Sequence, residues 1–207
     1  MRRPRLLRAL VGDSSDPSGE GRAGRVDAPP VEAERAAERR ELAETHGWTY
    51  TERHQGAIQG WPRTALPPGP LGRVHHELTG RHHGRPFRIF DYVHRGTSEG
   101  PWQRIEVCAV ALPVLVPYVY IRDVPAADGS DDVYAEGPDT RFAVELLSES
   151  LRADLRRHGF TDLVLDRDVL ICTSDGGGPA DPESRLEALT DLVDRVPSDV
   201  WARWSRD

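Results

Sequence analysis

The 207-residue sequence contains no lysine and no asparagine, and all 27 of its Lys/Arg-type cations are arginine. Both missing residues are encoded by A-rich codons, so the gap reads first as a high-GC genome. It has chemical consequences too: a Schiff-base lysine and a P-loop lysine are excluded. Only two cysteines are present, Cys108 and Cys172. They are too few for a disulfide framework and suit a reducing compartment. No uninterrupted apolar run reaches about 18 residues, so no membrane-spanning helix is expected. With 34 acids the formal charge is −7, which excludes a globally basic protein that coats nucleic acid. These absences leave a mixed α and β protein, long enough to bury a core and expected in the cytoplasm.

The net charge hides an asymmetry. Residues 1–45 carry nine Arg and nine acids, residues 46–122 nine Arg and five acids, and residues 123–207 nine Arg and twenty acids. The middle third is therefore +4 and holds seven of the eight histidines, while the last third is −11. Complementary packing of the two within one fold, with solvated faces, is the better account of this than an anion-facing middle and an acidic C-terminal surface.

Residues 1–29 are expected to form a disordered basic and polar tail and linker, and residues 30–207 a single α+β domain. Arg8 interrupts Leu6, Leu7, Leu10 and Val11, which argues against a secretory signal. A short basic amphipathic helix on an anionic membrane surface is one alternative for this start; a frayed terminus or a mis-called start codon is another. Residues 12–29 are rich in Gly, Ser, Asp and Pro, with little to bury.

From Val31 to His46 the Ala/Glu/Arg pattern predicts a helix that Gly47 stops, with a thin apolar face and so a place on the surface. Residues 48–53 alternate as a half-buried strand does. Arg73–Thr79 and Pro86–His94 read as a hairpin about a polar turn at 80–85. Gln103–Leu112 and Val114–Arg122 read as a second pair hinged at Pro113, with Pro117 demoting the latter to an edge or bulge. Residues 125–138 read as an acidic loop. Asp139 and Thr140 begin a helix expected to run through Arg157. Phe160–Asp166 and Asp168–Thr173 read as a hairpin about Arg167. Asp181 and Pro182 open a last helix to about Val196. The fold class expected is α+β: an antiparallel sheet built from consecutive hairpins, with helices at the N-terminal end, after strand five and at the C-terminal end.

Several blocks recur together in this order: Gly47-Trp48-Thr49-Tyr50, Leu78-Thr79-Gly80, Gly84-Arg85-Pro86-Phe87, Phe90-Asp91-Tyr92, Arg141-Phe142-Ala143, and Val196-Pro197 before Val200-Trp201. Over roughly residues 40–204 the sequence resembles a family of uncharacterised actinobacterial proteins. The resemblance implies a recurring domain without an assigned activity, so it transfers no site. Many members of that family carry an apolar membrane helix ahead of the domain, where this sequence has only its short basic start.

The sharpest chemical feature is a histidine group. His75-His76 and His82-His83 flank the proposed turn, with Asp91 and His94 beyond. Imidazole and carboxylate suit Zn²⁺, but neighbouring strand residues point to opposite faces, so one of each pair, His76 and His82, is the candidate ligand. Two ligands are too few for a tight site, and a solvated, Arg-mixed turn is the better account of them. Arg73, Arg81, Arg85 and Arg88, with Trp61 and Trp102, form a candidate surface for an anionic partner. An ordinary charged surface is the competing account. Cys108 and Cys172 sit among apolar neighbours and read as core residues. Asp166 and Asp168 read as turn residues, and Gly176–Gly178 as a linker without a phosphate-binding signature.

The sequence thus points to a non-enzymatic interaction or scaffold domain, with an acidic protein or an anionic membrane surface as partner rather than nucleic acid. The alternative is an enzyme whose metal-assisted site lies on the histidine-bearing hairpin. No cofactor is implied, no catalytic residue stands out, and the oligomeric state is open. The cytoplasmic placement extends to the periphery of the inner membrane face if the basic start engages lipid.

Overall fold

The computed structural model describes residues 31–206 except 55, 57, 60, 98, 99 and 126–130. The expected tail and linker lie outside the described residues. The architecture is α+β, as the sequence pattern implies. One six-stranded sheet comprises β1 (Thr49–His54), β2 (Arg73–His82), β3 (Arg85–Arg95), β4 (Trp102–Pro125), β5 (Asp131–Glu136) and β6 (Asp162–Thr173), and every pairing is antiparallel. Among the described residues five α-helices accompany it: α1 (Val31–His46), α2 (Thr140–Leu146), α3 (Glu149–His158), α4 (Pro182–Arg195) and α5 (Ser198–Trp204).

The 24-residue β4 organises the sheet. Its first half pairs with β3 and its last residues with β5, while β6 runs along its opposite edge. The expected hinge at Pro113 is therefore not a chain reversal. Pro113 and Pro117 fall where β4 has passed the end of β3 and not yet met β5, and where the register with β6 shifts. A proline lacks a donor, and here no regular ladder requires one.

The expected hairpin at Arg167 is likewise a single strand. Arg167 takes a left-handed φ of 57° opposite Val116, within the irregular stretch of the β4–β6 pairing. The chain kinks and continues, because the long β4 offers partners on both sides of the kink. The expected acidic loop contains β5 at its end. The expected helix through Arg157 is two helices: Ser148 accepts the Leu151 N–H and caps α3 afresh, so Leu146, Leu147, Leu151 and Leu155 can all be buried. At the β2–β3 turn, His83 (φ 48°) and Gly84 (φ 77°) both take positive φ, as a two-residue type I′ hairpin requires. The strands run to that tip, so the turn is shorter than the polar segment 80–85.

Alternation along the strands buries both faces. One face contributes Leu78, Phe87, Ile89, Cys108 and Val110 to a core closed by α2–α5 through residues such as Phe142, Leu155, Leu189 and Trp201. The other contributes Val74, Phe90, Tyr92, Val107 and Ile171, covered by Ile58, Trp61, Ala65 and Leu66 from the segment after β1. α1 ends at Gly47 as expected, with φ 66° and the Trp48 N–H on the Ala43 carbonyl at 2.8 Å. It does not simply lie on the surface: Ala36, Arg39 and Ala43 are buried.

Candidate functional site

The β3–β4 register places Asp91 directly opposite Glu106, both buried. Like charges in that position repel, and three arginines converge to offset them. Arg35 and Arg39, four residues apart and so on one face of α1, reach them from above. Arg35 Nε donates to both Asp91 carboxylate oxygens at 3.0 and 2.9 Å, and Arg39 lies 3.8 Å from Asp91. Arg35, Arg39 and, from α4, Arg185 all ion-pair with Glu106. Burial lowers the Arg39 pKa from its ordinary value. For Arg35 burial acts the same way, but the Asp91 hydrogen bond and the two nearby carboxylates outweigh it and the net shift is upward. The cluster carries one excess positive charge; Arg39 Nη1 and Arg185 Nε find no partner among the described residues.

Cys108 and Cys172 lie near this cluster, among the groups that Glu106 and Arg185 influence. Both are buried; burial pushes the Cys172 thiol up to about 12 and Cys108 well above its ordinary value. They are core residues. The charge cluster is a clamp that fastens α1, poor in large apolar side chains, onto the sheet.

The six arginine and tryptophan candidates do not share one surface. Arg88 is wholly buried, ion-paired with Glu77 and stacked against Trp61 and Phe90 at 5.0 and 4.9 Å. Trp61 is buried with it. Arg85 is tied to Asp194 on α4 and to the Ala111 carbonyl; Arg81 is exposed at the hairpin tip and bonds the Gly84 carbonyl. Of the six, Arg73 and Trp102 are the pair that meets at the exposed surface. Trp102 is 40% exposed, with the Arg73 guanidinium 5.6 Å and that of Arg95 4.1 Å from its ring centre. Arg104 is exposed on the same strand, two residues on and therefore on the same face as Trp102. Arg95 is legible only from the register, which pairs it with Trp102.

The two histidine candidates also part. His76 is buried, with Tyr50 Oη 2.8 Å from its Nδ1. His82 stands at the hairpin tip, where its Nε2 lies 2.5 Å from Glu187 of α4. The expectation that His82 and His83 point apart fails: their rings stack at 4.3 Å. His83 is a turn residue with positive φ rather than a strand residue, so strand alternation does not govern it.

A groove of about 280 Å³ opens between the segment around Thr64–Pro67 and the strands β4 and β6. At its rim Tyr120 donates to Asp162 and accepts from Arg122 Nη2 at 2.7 Å. Burial, then the bond to Asp162, raises the phenol pKa from its ordinary value. Tyr120 and Asp162 are 42 residues apart, beyond any local sequence signal.

With this geometry in view, the comparisons with known proteins are brief. No family model matches the sequence and no curated protein matches it. The fold, however, has a solved counterpart. The crystal structure of the mycobacterial trehalose monomycolate transport factor A, TtfA, superposes with a TM-score of 0.57 at 13% identity, over 83% of this chain and 96% of that one. At this identity the likeness shows the fold alone. Among the described residues no helix is long and apolar enough to cross a membrane.

Proposed function

We propose that this protein is a non-enzymatic interaction domain that holds an acidic segment of a partner protein against Arg73, Arg95, Trp102 and Arg104. The carrying observation is the exposed Trp102 with two guanidinium groups against its ring. Tryptophan and arginine dominate binding hot spots because they combine apolar area with directional charge. Arg73 and Arg104 have no ion-pair partner among the described residues, whereas Arg35, Arg39, Arg85, Arg88 and Arg185 are occupied within the fold. The fold counterpart is named as a transport factor, which agrees with an accessory role.

The test is a photo-crosslinking residue placed at Val93, half-buried and in register with both Arg73 and Arg104, of the full chain in its host. It should capture a partner through an Asp/Glu-rich segment, and a combined Arg73→Glu, Arg104→Glu variant should abolish capture while the circular dichroism spectrum is kept. Binding to a peptide of that segment should weaken steeply with ionic strength. Capture indifferent to the charge reversal would overturn the proposal. So would flotation of the purified chain with phosphatidylglycerol vesicles through the same arginines, which would assign the patch to a membrane surface.

A further inference from the structure

The tip of the β2–β3 hairpin meets α4 in a group of side chains that the interaction surface does not use. His82 Nε2 lies 2.5 Å and His83 Nε2 3.6 Å from the same oxygen, Oε2 of Glu187. One ligand atom from each of the three residues falls within 4.8 Å of the others. We propose that His82, His83 and Glu187 form a binding site for a divalent first-row transition metal, of which Zn²⁺ is the best match.

Three features support the assignment. The type I′ geometry at His83 and Gly84 turns the second imidazole alongside the first, so two sequence neighbours bring a ring nitrogen close to one carboxylate oxygen, and rotation of the exposed His83 ring out of the stack would aim both at one ion. Two imidazoles and a carboxylate are the donor set Zn²⁺ takes where three protein ligands leave a position open to water. The spacing is also close to what the metal needs. Ligand atoms about 2.1 Å from a tetrahedral ion are about 3.4 Å from one another. The His83–Glu187 separation already matches, and the His82–Glu187 separation must open by roughly 1 Å. Glu187 can supply that movement, its side chain being 45% exposed.

Of the neighbouring cations, Arg81 at the hairpin tip is exposed and held on the Gly84 carbonyl. Arg85, next along β3, is neutralised by Asp194 on α4. Glu183, one turn before Glu187, pairs with His46 at 3.4 Å. Metal bound here would join the hairpin tip to α4 across 105 residues of sequence and stabilise the fold by linkage. Because His83 is 60% exposed, the fourth position faces solvent.

The experiment uses the untagged full chain, stripped with a chelator, and Zn²⁺ titrated in competition with a chromophoric chelator. One equivalent should bind with a dissociation constant of micromolar order, and Zn²⁺ should raise the melting temperature. His83→Ala and Glu187→Gln should each weaken binding by at least about tenfold and remove the thermal shift, whereas His158→Ala, outside the cluster, should change neither. Glu187→Gln keeps size and shape, so it serves if His83→Ala perturbs the hairpin. No binding by the wild-type chain at 100-fold excess of Zn²⁺ would overturn the site. So would unchanged affinity in both variants, or equal binding of Mg²⁺, which does not favour imidazole.

Discussion

The same face of the sheet is covered in two opposite ways. Over Leu78, Ile89 and Val110, α4 lays down Leu186, Leu189, Leu192 and Val193, and apolar burial holds the layers together. A few residues along the same strands, over Asp91 and Glu106, α1 lays down Arg35 and Arg39. The first arrangement gains from leaving water. The second must overcome the cost of taking charges out of water, and does so only because each carboxylate meets several guanidinium donors in good geometry. The apolar region therefore tolerates rearrangement, while the charged region depends on the presence of every partner.

Three substitutions or conditions break or sharpen this contrast. The largest effect is expected from Glu106→Ala, which strips three arginines of a shared partner and leaves buried positive charge uncompensated. About 3–5 kcal/mol of stability should be lost, read by urea denaturation. Amide exchange in α1 should rise before global unfolding, and a loss under about 1 kcal/mol would show that the clamp contributes little. Leu189→Ala is next, at about 2–4 kcal/mol through lost burial and a residual cavity. Its effect should appear as a uniform drop in protection rather than a release of α1.

The smallest effect concerns the thiols. A thiol whose folded pKa is raised contributes stability that is complete below its unfolded pKa and is lost as pH rises towards the folded one. With Cys172 held up to about 12 and Cys108 raised as well, stability should be flat in this respect at neutral pH and decline from about pH 9 upward. Aromatic disulfide reagents should label neither thiol at pH 7.5 until denaturant is added. Rapid native-state labelling would contradict their burial.

Much of this was legible locally. The stop of α1 at Gly47, the Asp181–Pro182 start of α4, the burial of both cysteines and the antiparallel hairpin order follow from side chains a few positions apart. The candidate surface was legible only in part. Arg73 and Trp102 meet as exposed residues, but Arg88 and Trp61, of the same composition, turn inward because Glu77 and Phe90 receive them. Nothing near Arg88 in sequence announces that Glu77 is buried beside it. His83 was misjudged because strand alternation was applied to a residue that the type I′ turn removes from the strand.

The sequence by itself determined the alternation, the caps and the turn signals, since these depend on backbone conformation and on neighbours within one turn or one hairpin. Only the tertiary structure decided that Pro113 and Arg167 are interruptions within continuous strands rather than reversals. It also decided which arginines are spent inside the fold and which remain outside, and that Glu187 stands against His82 and His83. Each of these outcomes depends on pairing partners far along the chain. A strand continues through a proline or a left-handed kink when a long neighbouring edge supplies contacts on both sides, and a charge is buried when a distant opposite charge is held within reach.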